Sequence, residues 1–312
     1  MPKDPADISV TISLYNKEKT IERAVLSVVN QTRPPKNIII VDDGSTDRSS
    51  EIASQLARSY SFVRYIKKKN QGVSVARNRG VEEADTDYVC FLDADDIWEP
   101  VYMEHLLQLM EIADDADVYC LAYQINSEYG MLKPHVALPD DFEGIVKDPL
   151  NAYTKGYGLI HTSAICFNQS FFWEIGGFPE GVNFGEDLYL WIKACLNGKV
   201  AFSNKISTTL FKEQINSVNR RKLHPYHISY FTDHLGEFKP EDQKSIKDFL
   251  IKNINIQWAA AKIENNKNQQ DILRKYSYRL SYLNGLLLQL SDWLPVQLFQ
   301  FLKARRAQKR KL

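Results

Sequence analysis

Three carboxylates crowd into four positions of "CFLDADDIWEP", residues 90–100: Asp93, Asp95 and Asp96. Like charges this close repel, and an apolar run leads straight into them. A divalent cation removes the repulsion, because Mg²⁺ and Mn²⁺ take oxygen ligands and bridge carboxylates to phosphates. Taken alone, the cluster also fits a solvated turn or an N-cap for the helix beyond Pro100. A second acidic pair, Asp42 and Asp43, closes "IIIVDDGSTD". A carboxylate there can accept hydrogen bonds from a base or ribose; an Asx-type turn supported by Gly44 and Ser45 is the plainer use. "NQGVSVARNRG" adds Arg77 and Arg79. Either guanidinium can face a diphosphate, and either can be an ordinary surface charge.

The elements around these residues alternate. "ISVTISLYN" reads as a strand and "KEKTIERAVLSVVNQT" as a helix with Ile21, Ala24, Val25 and Val28 on one face. "NIIIVDD" lacks polar alternation, as a parallel strand covered on both faces does. "DRSSEIASQLARSY", "FVRYIKKK", "GVSVARNRGVEEA" and "TDYVCFLDADD" continue as helix, strand, helix and strand. This β-α-β-α-β-α-β order predicts an open doubly wound sheet, which binds ligands beyond the carboxyl ends of its strands. "SLYN", "VDDGS" and "LDADD" all fall there. Residues 100–215 are mixed, with "KVAFSNKISTTLF" expected as a strand pair and "EDLYLWIKACLNG" as a helix closed by Gly198. From about residue 216 the pattern is all helix. Ile272, Tyr276, Leu280, Leu283, Leu287 and Leu290 form a stripe expected to pack inward.

The chain has 312 residues, 44% apolar and 25% charged, with a formal net charge of zero. The charge is uneven: "KARRAQKRKL", residues 303–312, holds six Lys or Arg and no acid, so the rest sums to −6. Leu294, Leu298, Phe301 and Leu302 share a helical face just before it. An apolar face joined to dense positive charge suits an anionic membrane surface; a docked helix with a solvated end is the plainer alternative. The acidic body argues against nucleic acid. Cys90, Cys120, Cys166 and Cys195 form no C-x-x-C pair, so a reducing compartment is expected rather than a zinc site or disulfide framework. The N-terminus lacks an apolar signal core, and no run approaches a membrane span. A cytoplasmic location is expected, peripheral on the inner face of the plasma membrane.

The order "SLYNKEKTIERAVLSVVNQT", "IIIVDDGSTD", "NQGVSVARNRG", "FLDADDIWEP", "IGGFPEGVNFGEDLYLWIKA" resembles the family 2 glycosyltransferases of the GT-A fold, over roughly residues 8–215. Five motifs in order are far more specific than any one alone. The resemblance implies an α/β, Rossmann-like doubly wound mixed sheet with a C-terminal helical extension. It implies a GT-A domain over 1–215, divided into a nucleotide-binding half (1–100) and an acceptor half (101–215), and a helical region over 216–312. It implies inverting transfer of one hexosyl group from a nucleotide sugar, usually a UDP-sugar, to a saccharide or lipid-linked saccharide. Ser13, Tyr15, Asp42 and Asp43 then lie at the nucleoside, and Arg77 near the base or diphosphate. Asp93 and Asp95 form the D-x-D element. Asp95 and Asp96 are the implied ligands of Mn²⁺ or Mg²⁺. Asp187 is the implied general base, with Glu186 beside it. Capping of the helix that they open is the plainer use.

Two departures stand out. Gln214 occupies the place where many relatives carry a histidine that completes the metal site, leaving His161 and His224 as candidates. The Q-x-x-R-W motif of polymerising members is missing, so one sugar per encounter is expected. A sugar nucleotidyltransferase would share the acidic site but would carry a glycine-rich phosphate loop, and "SLYNKEKT" has no glycine. A non-catalytic sugar-nucleotide binder would not need Asp187.

Overall fold

The computed structural model describes residues 6–211 and 224–308. Gln214 lies outside them. Four parallel strands start the chain: β1 (Ala6–Leu14), β2 (Pro35–Asp42), β3 (Val63–Lys67) and β4 (Tyr88–Asp93). They lie in the order β3-β2-β1-β4. The crossovers are α1 (Ile21–Val29), α2 (Ser49–Ser59) and α3 (Val73–Glu82). Residues 38–41 show why an unbroken apolar run is needed. Ile38 and Ile40 pack under α1 and α2, while Ile39 and Val41 pack with Ala76 of α3. Strand order reverses on either side of β1, which opens a crevice at the carboxyl ends of β1 and β4.

The second half extends the same sheet. It contains β5 (Ile97–Trp98), α4 (Tyr102–Ile112), β6 (Val118–Ser127), β7 (Gly130–Leu132), β8 (Glu143–Ile145) and α5 (Pro149–Gly156). Then come β9 (Ile165–Asn168), α6 (Gln169–Glu174), α7 (Glu186–Asn197) and β10 (Val200–Phe211). β9 pairs antiparallel with both β4 and β6, and β10 runs parallel to β6, so the described sheet is mixed and ten-stranded. The expected strand pair at 199–211 is instead one strand. Register shifts around Ile206 bend β10, so that it pairs with β8 through Ala201–Ser203 and with β5 through Thr208 and Thr209.

Among the described residues five α-helices follow: α8 (Tyr226–Asp233), α9 (Pro240–Ile263), α10 (Lys267–Leu280), α11 (Tyr282–Leu290) and α12 (Val296–Gln308). Ile228, Phe249, Ile254, Trp258 and Leu273 are buried in one apolar cluster with Phe167, Phe172 and Trp191 of the second half. The leucine stripe of 272–290 does not run through one helix. The chain breaks at Ser281, whose hydroxyl caps α11 by accepting the Asn284 N–H. Gly285 then lies against Tyr278, where an added Cβ would come within 2.4 Å of the ring. That close approach turns Gly285 and Leu288 inward and leaves Leu283, Leu287 and Leu290 exposed.

Candidate active site

The ends of β1, β2 and β4 meet in register. Ser13 is opposite Val41 on one side and Asp93 on the other, and Leu14 is opposite Asp42. Ser13 is half-buried there, and Tyr15, just past the strand, is exposed. Asp42 is fully buried and builds the loop beneath the crevice, accepting from the Ser45 N–H (2.8 Å), the Ser50 hydroxyl and the Tyr65 hydroxyl (2.8 Å). Burial pushes its carboxyl up, but those hydrogen bonds outweigh it and hold the group below the usual carboxylate range. Asp43 accepts from the backbone N–H groups of Gln71 (2.9 Å) and Gly72 (2.8 Å) and from the Lys68 ammonium (2.5 Å). It therefore ties the end of β2 to the start of α3. Gly44 makes this turn possible: its φ is +78°, and a Cβ would come within 2.9 Å of the Asn70 nitrogen.

The three carboxylates after β4 have three different partners. Asp93 pairs with Arg77 at 2.8 Å. Asp95 pairs with Lys17 at 2.5 Å, and its carbonyl accepts from Arg23 at 2.6 Å. Asp96 turns inward, 4% exposed. It accepts from the Ser163 hydroxyl (2.5 Å) and the Phe211 N–H (3.1 Å). Burial, and next the charge of Asp93, push its carboxyl up to about 8 despite those bonds. The Ser163 hydroxyl also accepts the Asp93 N–H at 3.2 Å, so one side chain holds the whole turn. Among the described residues no three His, Cys, Asp or Glu side chains converge as a metal-ligand set. His161 is on the Ser163 segment, its Nδ1 accepting the Ser163 N–H, whereas His224 pairs with Tyr276 in the helical region.

Arg77 joins the two ends of the site. It is 6% exposed, and its guanidinium reaches Asp93 at 2.8 Å and Glu186 at 3.4 Å, 5.0 Å from the Phe178 ring centroid. Burial opposes its charge; Asp93, Glu186 and Asp187 together outweigh that and raise its pKa. Arg79 instead lies on the exposed face of α3 with Glu82 and Glu83. Asp187 is half-buried in the first turn of α7, with one oxygen accepting the Leu188 N–H at 2.6 Å. Its charge acts on Arg77 and on the buried Tyr153 hydroxyl. Thus "DADD" and "ED", some ninety residues apart, share one guanidinium.

The helical region backs this turn. Gly185 has φ +85°, and a Cβ there would come within 2.2 Å of His227 Nδ1. His227 is fully buried, with Nε2 3.0 Å from Asn253 Oδ1, and burial pushes it down to about 4. The Tyr226 N–H donates to the Phe184 carbonyl at 3.0 Å. Sequence reasoning missed Lys17, Arg23, Ser163 and His227. Lys17 and Asp95 are 78 residues apart, and nothing local links them.

The sequence model described as "Glycosyl transferase family 2" matches residues 9–175, more than half of the chain. The chain belongs to glycosyl transferase family 2. This family 2 chain is 39% identical to a cholesterol galactosyltransferase of Borreliella burgdorferi over 118 residues, 38% of this chain and 33% of that one. It is 46% identical to the uncharacterized glycosyltransferase YibD of Escherichia coli over 111 residues, 36% and 32% of the two chains. Glycosyltransferase GlyA of Streptococcus pneumoniae is 32% identical over 208 residues, 64% and 29% of the two chains. The matched part thus spans about a third of the length of these relatives. Residues 1–349 of Staphylococcus aureus TarS, solved in complex with UDP-GlcNAc, superpose with a TM-score of 0.70 at 17% identity. The superposition covers 89% of this chain and 82% of that one. At that identity the likeness shows the fold, and it is the GT-A-type mixed sheet expected.

Proposed function

We propose that this chain transfers a single hexosyl group, with inversion, from a UDP-sugar to a saccharide or lipid-linked saccharide in surface glycan assembly. One observation carries the reading: Arg77 holds Asp93 and Glu186 together, so the D-x-D carboxylates and the ED pair face one crevice. The UDP and UDP-GlcNAc complexes of TarS support the donor class. We assign residues 1–215 to the transferase domain and 216–312 to the helical region.

In this reading Ser13, Tyr15, Asp42 and Asp43 form the nucleoside end. Asp42 shapes the loop, while Asp43 carries the contact to the base. The side chains of Asp93 and Asp95 are 27% and 26% exposed, and each already draws a cation. Two oxygen donors beside a diphosphate fit Mg²⁺ or Mn²⁺, which keep several positions for water and phosphate. Asp95 and Asp93 would hold the ion, with Asp96 bracing the turn from beneath and supplying a further ligand if it swings outward. The bound ion would neutralise charge on the departing diphosphate.

The chain's own groups do the rest. Asp187 takes the acceptor hydroxyl proton as that oxygen bonds to the anomeric carbon. The bond from that carbon to the diphosphate breaks, and its electron pair leaves on the phosphate oxygen. Lys17 and Arg77 lie at the same end of the sheet and place positive charge where the leaving group develops negative charge. Glu186 is occupied by Arg77 and orients it. Among the described residues no helix is long and apolar enough to cross a membrane. We place the chain on the inner face of the plasma membrane, held by residues 293–312. Thermal stabilisation by a panel of nucleotide sugars with Mn²⁺ tests the donor class. Stabilisation by UDP-sugars is expected, and stabilisation by sugar phosphates alone would contradict it.

A further inference from the structure

We propose that the outward faces of α11 and α12, from Tyr282 to Leu302, form a docking surface for an anionic lipid bilayer. The proposal extends the membrane part of the function just given. Its main footprint is α11, which the sequence pattern had assigned to internal packing. Of the fifteen large apolar side chains exposed in the described residues, nine lie between 282 and 302. Leu283, Leu287 and Leu290 recur at helical spacing and are 65%, 51% and 56% exposed. Leu298, Phe301 and Leu302 repeat this on α12. The inner faces are already filled. Gly285 and Leu288 turn to the body from α11, and Phe299 of α12 packs on Trp258 with 5.8 Å between rings. Both helices are therefore apolar on a second side that packing does not use.

The turn between them is fixed. The Asp292 carboxylate binds Arg274 at 2.6 Å, and its carbonyl accepts from Lys262 at 2.6 Å. Trp293 projects from this pinned turn with 88% of its surface exposed. A Trp and a Tyr bordering a leucine stripe is the composition that settles at a bilayer's headgroup boundary. Charge selects the occupant. Six Lys or Arg follow within residues 303–312, and each is attracted to an anionic surface. A second copy seated on this face would bring a run of the same sign, which the six cations do not favour. An anionic bilayer neutralises them while the leucines enter its boundary. A lipid-linked acceptor would then be met at the surface where it resides.

The test is flotation of the full chain with phosphatidylcholine vesicles and with phosphatidylcholine–phosphatidylglycerol vesicles. The full chain should float with the anionic vesicles only, less so in high salt. L283E/L287E/L290E, which alters exposed positions only, should lose roughly tenfold or more of that binding with the basic run intact. A variant with the six basic residues of 303–312 changed to Gln should also lose it. Unchanged flotation of the leucine variant would overturn the α11 footprint. A salt-insensitive dimer in sedimentation equilibrium, abolished by L283E/L287E/L290E and without flotation of the parent, would assign the face to a second copy and overturn the proposal. Stabilisation by UDP, measured on the same variant, should be unchanged. Its loss in parent and variant alike would count against the transferase reading and leave the flotation result standing.

Discussion

Each carboxylate at the ends of β2 and β4 has its own partner, so each substitution should leave its own signature. Asp95 faces Lys17 and is half-open to the crevice. Asp95→Asn should remove the Mn²⁺-dependent part of UDP-sugar affinity, measured by calorimetry with and without the ion. Equal affinities in mutant and parent would end its metal role. Asp43 does two jobs in this account. It holds Gln71 and Gly72, and it faces the nucleoside. Asp43→Ala should weaken UDP binding even without metal and lower stability by about 1–3 kcal/mol, the usual penalty for orphaning buried donors. Unchanged binding of UDP would remove it from the site. Arg79, paired only with Glu82 and Glu83 on an exposed face, is the control. Exposed pairs contribute about 0–1 kcal/mol, so Arg79→Ala should be nearly silent in stability and in binding. Spacing alone offered Arg77 and Arg79 as equals and the family resemblance chose Arg77; burial separates them in the fold through contacts to Phe178 and Glu186 that no local pattern encodes.

At the scale of elements, the turn into α7 depends on the helix that backs it. Gly185 and His227 fit only because one has no side chain and the other is buried neutral. His227 sits at about 4 in the folded chain against an ordinary 6.5, because burial disfavours its charged form. The unfolded chain takes up that proton first as pH falls. Stability is therefore fully present above 6.5 and is lost progressively down to about 4. The loss between pH 7 and pH 5 should be about 2 kcal/mol from this group alone. Denaturant melts at the two pH values check it: His227→Gln should flatten the pH dependence by that amount, and an unchanged slope would contradict the burial account. The strands of the first half were legible because a parallel sheet covered on both faces demands unbroken apolar runs, as in Ile38–Val41. β10 was misread because its bulge around Ile206 answers to pairing with β5, β6 and β8 rather than to its own residues. The leucine stripe misled for a related reason. Helical spacing says that a face exists; the Gly285–Tyr278 contact decides which face turns inward.

For the whole molecule, three motifs were readable from the sequence because "SLYN", "VDDGS" and "LDADD" each close a strand and those ends meet at one edge of the sheet, while "GVSVARNRG" and "ED" open helices beside it. What was not readable is how the helical region joins in. Its core is continuous with that of Phe167 and Trp191, so it is a wall of the site rather than an appended tail. Truncation after Phe211 should therefore cost the fold of the second half as well as membrane binding, seen as loss of a cooperative thermal transition. The crevice joined by Arg77 should perform transfer with Asp187 as its base. The most direct measurement is the turnover of Asp187→Asn, on an identified UDP-sugar and acceptor, alongside UDP affinity. Asp187 lies in the first turn of α7 and Asn keeps its size and an acceptor oxygen for the Leu188 N–H, giving up only about 0.3–1 kcal/mol of helix-dipole interaction, so the fold and the donor site should survive. UDP affinity should be unchanged and turnover reduced by roughly 10²-fold or more, the scale of a lost general base. Turnover within a fewfold of the parent would contradict that role and leave Asp187 as a carboxylate that only favours the N-terminal end of α7.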